Sequence, residues 1–478
     1  MRLAIVLVMI GCLGKLCAGG PSVVMVLVDD MGKGEIGVNG NGVIETPHLD
    51  ALAGRSLRFG NFHVAPTCAP SRAQLMSGRH EFFVGVTHTT VGRNKLRDDV
   101  KLLPEYLREA GYATGMFGKW HLGEGKGLSG RSLDPHERGF GVAYYTQNQL
   151  LPRFGPQMMR NGVREQAEGY CVDVVFREAM DWMERQEGKF FAYIATSAPH
   201  TPLAAPKELV EIYEGKGLSR SQMTYYAMVS SIDRQMGKLI EWVDAREEGV
   251  LVIFMSDNGH AISGARGAGH GLDGKVLDGG LYNAGMRGAK GQTWQGATCV
   301  PAWWYWPGKV KPRVEGEALV SGMDVLPTLV SLAGGELEEG VQGVDLGYYL
   351  TGEGKEVSGE RVLFAHLGRW ASSDELARYE RVYTSVFDGE YRLAWNLGQY
   401  AGLYRYLEDR GEGDDLSGSE AERVARMGAL HAAWWREACE QMVNDQEQVR
   451  SGKLQRREGA LFKVRPEEWR ERLKGEAP

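Results

Sequence analysis

Two polar pairs mark this chain: Asp29-Asp30, and Asp257-Asn258 within Ser256-Asp257-Asn258-Gly259. Together they offer three carboxylates and one amide oxygen, an all-oxygen donor set of the kind that holds Ca²⁺ or Mg²⁺. Taken alone, an Asp-Asp pair is more often an exposed turn. The run Cys68-Ala69-Pro70-Ser71-Arg72-Ala73-Gln74-Leu75-Met76-Ser77-Gly78-Arg79 sets a cysteine shortly before an arginine. That is either a buried structural cysteine ahead of a helix or an activated nucleophile beside a cation. Gly118-Lys119-Trp120-His121-Leu122-Gly123, Pro199-His200-Thr201-Pro202 and Lys290-Gly291-Gln292-Thr293-Trp294 add lysines and histidines. Cations stabilise charge that builds on an anion, and histidines give and take protons near neutrality. Any one of them alone reads as a structural or solvated side chain. Their occurrence together points to a site.

Such residues need elements to position them. Val23-Val24-Met25-Val26-Leu27-Val28 is a continuous apolar run that ends in Asp29-Asp30. Val250-Leu251-Val252-Ile253-Phe254-Met255 ends in Ser256-Asp257, and Phe190-Phe191-Ala192-Tyr193-Ile194-Ala195 runs toward Pro199-His200. Runs of this kind predict strands buried on both faces of a parallel sheet. Each delivers polar residues from its C-terminal end, where open α/β sheets place ligands. Helical patterns cover Val174 to Gln186 and Tyr225 to Asp244. The alternation predicts an α/β fold with helix, sheet and helix layers. Gly334 to Gly340 reads as a polar loop, and short strands follow at Arg381 to Phe387 and Tyr391 to Trp395. A helix at Glu420 to Met442 and a charged tail complete the chain. The expected domains are a catalytic domain over 20–355 and a small α+β domain over 356–478.

The 478 residues, 43% hydrophobic and 24% charged, suffice for one large and one small domain. A net charge of −7, widely spread, leaves no basic face for nucleic acid. The 65 glycines suit a loop-rich architecture. Arg2, the apolar run Leu3 to Ile10 and the small residues Ala18, Gly19 and Gly20 form a secretory signal-peptide pattern over 1–19. Lys15 interrupts that stretch, which is too short for a bilayer core of about 30 Å. A secreted or periplasmic protein without a transmembrane segment is expected, and Met9-Ile10-Gly11-Cys12 weakly resembles a lipid-attachment box at Cys12. Cys12 and Cys17 would leave with the signal. Cys68, Cys171, Cys299 and Cys439 have neither disulfide-framework nor zinc spacing, which leaves a cysteine for chemistry.

The run from Cys68 to Arg79 resembles the sulfatase signature C-x-P-S-R-x-x-L-x-S/T-G-R at every fixed position. The resemblance is to the formylglycine-dependent, arylsulfatase-like family of the alkaline-phosphatase superfamily. It implies a three-layer sandwich with a large mixed sheet, plus a small C-terminal domain with a short antiparallel sheet. It also implies that a formylglycine-generating or sulfatase-maturing enzyme converts Cys68 to an aldehyde. The hydrated aldehyde carries two hydroxyls on one carbon: one attacks sulfur, and the other later loses its proton to expel sulfate. By resemblance, Asp29, Asp30, Asp257, Asn258 and the modified Cys68 hold the metal, usually calcium, with magnesium as the alternative. Lys119 binds the sulfate and the hydrate, and His121, in a segment like the second sulfatase signature, is the base for sulfate elimination. His200 contacts the sulfate and protonates the leaving alcohol, Lys290 binds the sulfate and the bridging oxygen, and Arg72 stabilises the nucleophile.

Further segments match the family in order: Thr46-Pro47-His48-Leu49-Asp50, Met323-Asp324-Val325-Leu326-Pro327-Thr328 with Leu332-Ala333-Gly334, and loosely Leu403-Tyr404 to Leu416. Others depart. Gly32-Lys33-Gly34-Glu35 stands for the usual glycine-tyrosine-glycine-aspartate, and Gln295 and Cys299 replace a carboxylate and an arginine. His260 and His270 lie near the metal strand without a firm role. Trp303-Trp304-Tyr305-Trp306 and Trp370 are either sugar-stacking surfaces or core. The expected activity is hydrolysis of an aryl or carbohydrate sulfate. Hydrolysis of a phosphate or phosphonate ester at the same site, and sulfated-glycan binding without catalysis, stay open.

Overall fold

The computed structural model describes residues 20–442, apart from 91, 128, 149, 262–280, 353–355, 358, 369–375, 377 and 397–398. The expectations for the signal segment with Cys12 and Cys17, for His270, for Trp370 and for the charged tail fall outside the described residues.

Ten strands form one large sheet. In chain order they are β1 (Ser22–Asp29), β2 (Leu57–Phe59), β3 (Ala113–Lys119), β4 (Val142–Thr146) and β5 (Gln157–Arg160). Then come β6 (Val163–Gln166), β7 (Phe190–Pro199), β8 (Val250–Ser256), β9 (Ala302–Tyr305) and β10 (Arg313–Glu315). Across the sheet the order is β10-β2-β9-β8-β1-β7-β3-β4-β5-β6. The centre, from β8 to β4, is parallel, whereas β9, β5 and β6 run antiparallel to their neighbours. The sheet is therefore mixed, with a buried parallel core, as the apolar runs predict.

Successive side chains of a strand point to opposite faces, and here both faces are covered. Val24, Val26 and Val28 of β1 join one core with the helices α2 (Cys171–Glu184) and α3 (Arg220–Asp244). Val23, Met25 and Leu27 join another with Leu75 and Met76 of α1 (Cys68–Ser77) and with Leu103 and Leu326. These are the three expected layers. The helices begin earlier than periodicity predicts. For α3 the reason is a capping box, in which Ser219 Oγ accepts the Gln222 N–H at 3.3 Å and Gln222 Oε1 accepts the Ser219 N–H at 2.8 Å. Trp303, Trp304 and Tyr305 are buried, so the core reading holds for them and the sugar-stacking reading does not.

A separate sheet of four antiparallel strands follows: β11 (Leu363–His366), β12 (Thr384–Phe387), β13 (Arg392–Asn396) and β14 (Gln399–Tyr404). The helix α4 (Ala421–Gln441) packs against it through Trp434, Trp435 and Met427. No helix of the described residues is long and apolar enough to cross a membrane.

Candidate active site

The register of the parallel strands brings their C-terminal ends to one edge. Asp29 of β1 pairs with Pro199 of β7, Val28 pairs with Ser256 of β8, and Gly118 of β3 pairs with Ala195 of β7. The residues beyond those pairs are Asp30, His200, Asp257 and Lys119, which therefore converge. Gly118 is needed there: its φ is +112°, and a Cβ would meet the Ala195 carbonyl oxygen at 2.0 Å. Asp30 and His121 turn out of their strands at φ +67° and +64°. That conformation is uncommon for non-glycine residues, although aspartate and histidine adopt it more readily than most.

Cys68 opens α1, all ten residues of which are buried. Ser71 Oγ donates to the carbonyls of Ala65 at 2.9 Å and Thr67 at 3.1 Å, which anchors the first turn. The positive end of the helix thus lies at Cys68, where it favours a developing negative charge. Arg72, one turn on, donates through Nε and Nη2 to Asp257 Oδ2 at 3.1 and 2.8 Å and through Nη1 to the Lys119 carbonyl at 2.8 Å. Lys119 Nζ lies 2.7 Å from Asp29 Oδ2, and Lys290 Nζ lies 2.6 Å from Asp30 Oδ1 and 3.4 Å from Cys68 Sγ. Oxygen and sulfur atoms of Asp29, Asp30 and Cys68 and a ring nitrogen of His200 fall within 4.8 Å of one another.

Burial pushes the Asp29 carboxyl up, but Lys119, His200, Arg72 and Lys290 together hold it well below the usual carboxylate range. Burial, and then the charge of Asp29, push Asp257 up against Arg72. The Cys68 thiol is raised by burial, although Lys119 and Lys290 oppose this. His121 is held well below its ordinary value by burial, Lys119 and Arg72. Its Nε2 lies 3.0 Å from the Thr89 carbonyl. A carbonyl only accepts, so Nε2 carries the proton and Nδ1 keeps its lone pair. That Nδ1 has no hydrogen-bond partner among the described residues. His200 is lowered by burial, with Asp30 and Asp29 opposing. Its Nδ1 lies 2.6 Å from the Thr201 carbonyl, and Nε2 lies 3.4 Å from Asp30 Oδ2.

Asp29 Oδ1 and Asn258 Oδ1 are buried without a hydrogen-bond partner among the described residues. Asn258 Nδ2 donates to Asp30 Oδ1 at 2.8 Å, which turns the amide oxygen away from that carboxylate. Buried oxygens of this kind are costly unless something binds them. Their hard-donor chemistry fits a divalent cation.

A model of the sulfatase family matches residues 21–335. The chain belongs to the sulfatase family. Arylsulfatase G of Rattus norvegicus is 32% identical over 402 residues, which cover 73% of this chain and 72% of that protein. N-acetylgalactosamine-6-sulfatase of Homo sapiens is 32% identical over 345 residues, covering 66% and 62%. The crystal structure of Ps i-CgsB superposes with a TM-score of 0.77 at 25% identity, over 92% of this chain and 98% of that one. The sulfatase accordingly has the alkaline-phosphatase-like fold expected of its signature, and it is a sulfuric ester hydrolase.

All the residues singled out for chemistry in this sulfatase lie at that one edge or on α1. Others were not readable beforehand. Thr89 sets the His121 tautomer through its backbone, which no side-chain pattern reveals. Tyr225 Oη donates to the Asp30 carbonyl at 2.8 Å from the second turn of α3, where an aromatic residue reads as core. His260 is buried with Nδ1 3.1 Å from Glu35 Oε1, and its carbonyl accepts the Lys290 N–H at 3.0 Å. Its backbone supports the lysine loop. The departures Lys33 and Cys299 meet each other: Lys33 Nζ lies 3.7 Å from Cys299 Sγ and donates to the Gly60 carbonyl at 2.6 Å. Gln295 offers its backbone N–H to Glu412 Oε2 at 3.3 Å.

Proposed function

We propose that this sulfatase cleaves sulfate monoesters, aryl or carbohydrate, with a formylglycine hydrate made from Cys68 as nucleophile and a bound calcium or magnesium ion beside it. The observation that carries the reading is the placement of Cys68 at the buried start of α1, clustered with Asp29, Asp30 and His200 and 3.4 Å from Lys290 Nζ. Export of the precursor and conversion by a maturing enzyme belong to the same reading. A carbohydrate sulfate is supported by the relatives, one named for N-acetylgalactosamine 6-sulfate and the other, Ps i-CgsB, also solved with k-i-k-neocarrahexaose.

Held by Asp29, Asp30, Asp257 and Asn258, a divalent ion would supply Lewis-acid charge to the nucleophile and a sulfate oxygen. Arg72, Lys119 and Lys290 offset Asp29, Asp30 and Asp257 charge for charge. A divalent ion therefore leaves the pocket positive and suited to a sulfate monoanion. Lys119 and Lys290 face the sulfate oxygens, where charge builds as the ester breaks. Arg72 steadies the nucleophile, His200 gives a proton from Nε2 to the leaving alcohol, and His121 then takes at Nδ1 the proton of the second hydroxyl as sulfate is expelled.

The test is to trap the aldehyde with a hydrazide in protein from its native source and locate the adduct by mass spectrometry. The adduct is expected on the Cys68 peptide. An unmodified thiol there, or a Cys68→Ala variant with full activity, would falsify the mechanism. Turnover of 4-nitrophenyl sulfate is expected to exceed that of bis(4-nitrophenyl) phosphate, and the reverse order would favour a phosphodiesterase. Chelation is expected to abolish activity, and added calcium or magnesium to restore it. Activity indifferent to the chelator would exclude the metal.

A further inference from the structure

Arg153 is a buried arginine, 3% exposed, and among the described residues no carboxylate pairs with it. Its donors go instead to the end of β7 and the turn after it, and its side chain also hydrogen-bonds Cys171. Nη2 donates to the His200 carbonyl at 2.5 Å, Nε to the Pro202 carbonyl at 3.3 Å, and Nη1 to Ser197 Oγ. All three acceptors lie at or just beyond the end of β7, where the sheet no longer fixes the backbone. A buried guanidinium without an acid is costly, and here its three-pronged fork matches the Ser197 hydroxyl near the end of β7 and two carbonyls of the turn that follows.

The His200 ring is bound to that same turn. Nδ1 lies 2.6 Å from the Thr201 carbonyl, the residue between Arg153's two carbonyl partners. Any movement of the turn therefore moves Nε2. Proton transfer in a transition state tolerates little misplacement, and a shift near 1 Å costs roughly a hundredfold. Leu150, on the same segment as Arg153, adds a backbone N–H to Ser197 Oγ at 3.4 Å.

We propose that Arg153 is a positioning residue for proton donation by His200. The inference rests on the reading of His200 as donor to the leaving group. In that step His200 starts protonated at both nitrogens, with Nδ1–H on the Thr201 carbonyl. An ionised oxygen of the hydrate made from Cys68 bonds to sulfur as the S–O bond to the alcohol breaks. That bond's electron pair stays on the alcohol oxygen, and the Nε2 proton moves to it. The imidazole is left neutral. Arg153 does not touch the substrate; it holds the turn that aims the ring.

The experiment compares the wild type, His200→Ala, Arg153→Met and Arg153→Lys on aryl sulfates from 4-nitrophenyl to 4-methoxyphenyl. Nitrophenolate departs without help, whereas methoxyphenolate needs a proton. For Arg153→Met, kcat is expected to fall about threefold on the nitrophenyl ester and about a hundredfold on the methoxyphenyl ester, in parallel with His200→Ala. Arg153→Lys keeps the charge but not the fork, and is expected to show the same selectivity at about tenfold. Equal loss across the series, or no loss, in Arg153→Met overturns the proposal, and Arg153→Lys is judged by the same criterion if the methionine variant does not fold. A His200→Ala series as flat as the wild type overturns the reading of His200 and the proposal with it. Selectivity in His200→Ala without selectivity in either Arg153 variant overturns the proposal alone.

Discussion

His121 illustrates how a single side chain is prepared for its task. Its Nε2 proton is committed to the Thr89 carbonyl, its Nδ1 is unpartnered among the described residues, and burial keeps it neutral. A neutral ring with an open lone pair is a base rather than an acid. The His121→Ala variant should therefore still release alcohol once but fail to complete the cycle. Stopped-flow with 4-nitrophenyl sulfate should show a nitrophenol burst stoichiometric with the modified enzyme, followed by a steady rate down by roughly a hundredfold or more. Absence of a burst together with slow turnover would assign His121 to the first half of the reaction. The place of each such residue at the site was legible from its motif. The tautomer was not, because it depends on a carbonyl remote in sequence.

At the scale of elements, the strands were legible where both faces are apolar and obscure where polarity returns. The run from Phe190 predicted a strand ending at Ala195, yet β7 continues through Thr196 and Ser197 to Pro199. Those polar residues stay buried at the site edge, where they hydrogen-bond to the chain. Helix α1 has no amphipathic pattern because every side of it is buried, so periodicity could not find it and only the motif marked its place. Gly118 shows the tolerance of this edge. In Gly118→Ala the new Cβ would sit 2.0 Å from the Ala195 carbonyl, at a φ of +112°. The variant should lose on the order of 2–4 kcal/mol of stability, read by chemical denaturation. Any folded fraction should be nearly inactive, because Lys119 and His121 follow directly. Wild-type stability would show that β3 can retreat from β7.

At the scale of the whole molecule, the small C-terminal sheet braces the loop that carries Lys290. Arg392 of β13 forms a buried ion pair with Glu412 and also donates to the Thr293 carbonyl. Glu412 receives the Gln295 N–H at 3.3 Å, and Arg287 Nη1 donates to the Glu412 carbonyl at 3.1 Å. Arg392→Met strands a buried carboxylate, at a cost of about 3–5 kcal/mol. Thermal unfolding should detect that loss, and kcat on 4-nitrophenyl sulfate should fall with it at temperatures where the protein is folded. A variant as stable as the wild type would mean that Glu412 is neutral there. Acid should loosen the whole assembly. Burial lowers His63, His80 and His431 from 6.5 to about 3 and His366 to about 4. Below 6.5 the unfolded chain therefore binds more protons than the folded one, and stability falls as pH falls. Glu81, Asp257 and Asp233, raised by burial to about 8, 7 and 6, work the opposite way, destabilising the fold as pH rises between their ordinary and raised values. Four histidines outweigh three carboxyls on the acid side, so Tm should peak near neutrality and drop toward pH 4. A level Tm across that range would contradict the burial of these rings.

The sequence alone determined the reaction class and the central strands. A twelve-residue signature and continuous apolar runs are local patterns, and local patterns survive in one dimension. It also named the residues that meet at the site, because each ends a strand or stands in a motif. Only the tertiary structure decided how they meet. It placed Lys119 on Asp29 and Lys290 on Asp30, and gave Arg72 to Asp257 across 185 positions of chain. It put Arg153 on the turn of His200 and made the C-terminal sheet a brace for the lysine loop. The Trp303-Trp304-Tyr305 run, open in the sequence to sugar or core, became core because β9 lies between β8 and β2. Such pairings depend on strand order, register and burial, which are properties of the packed chain and not of any segment within it.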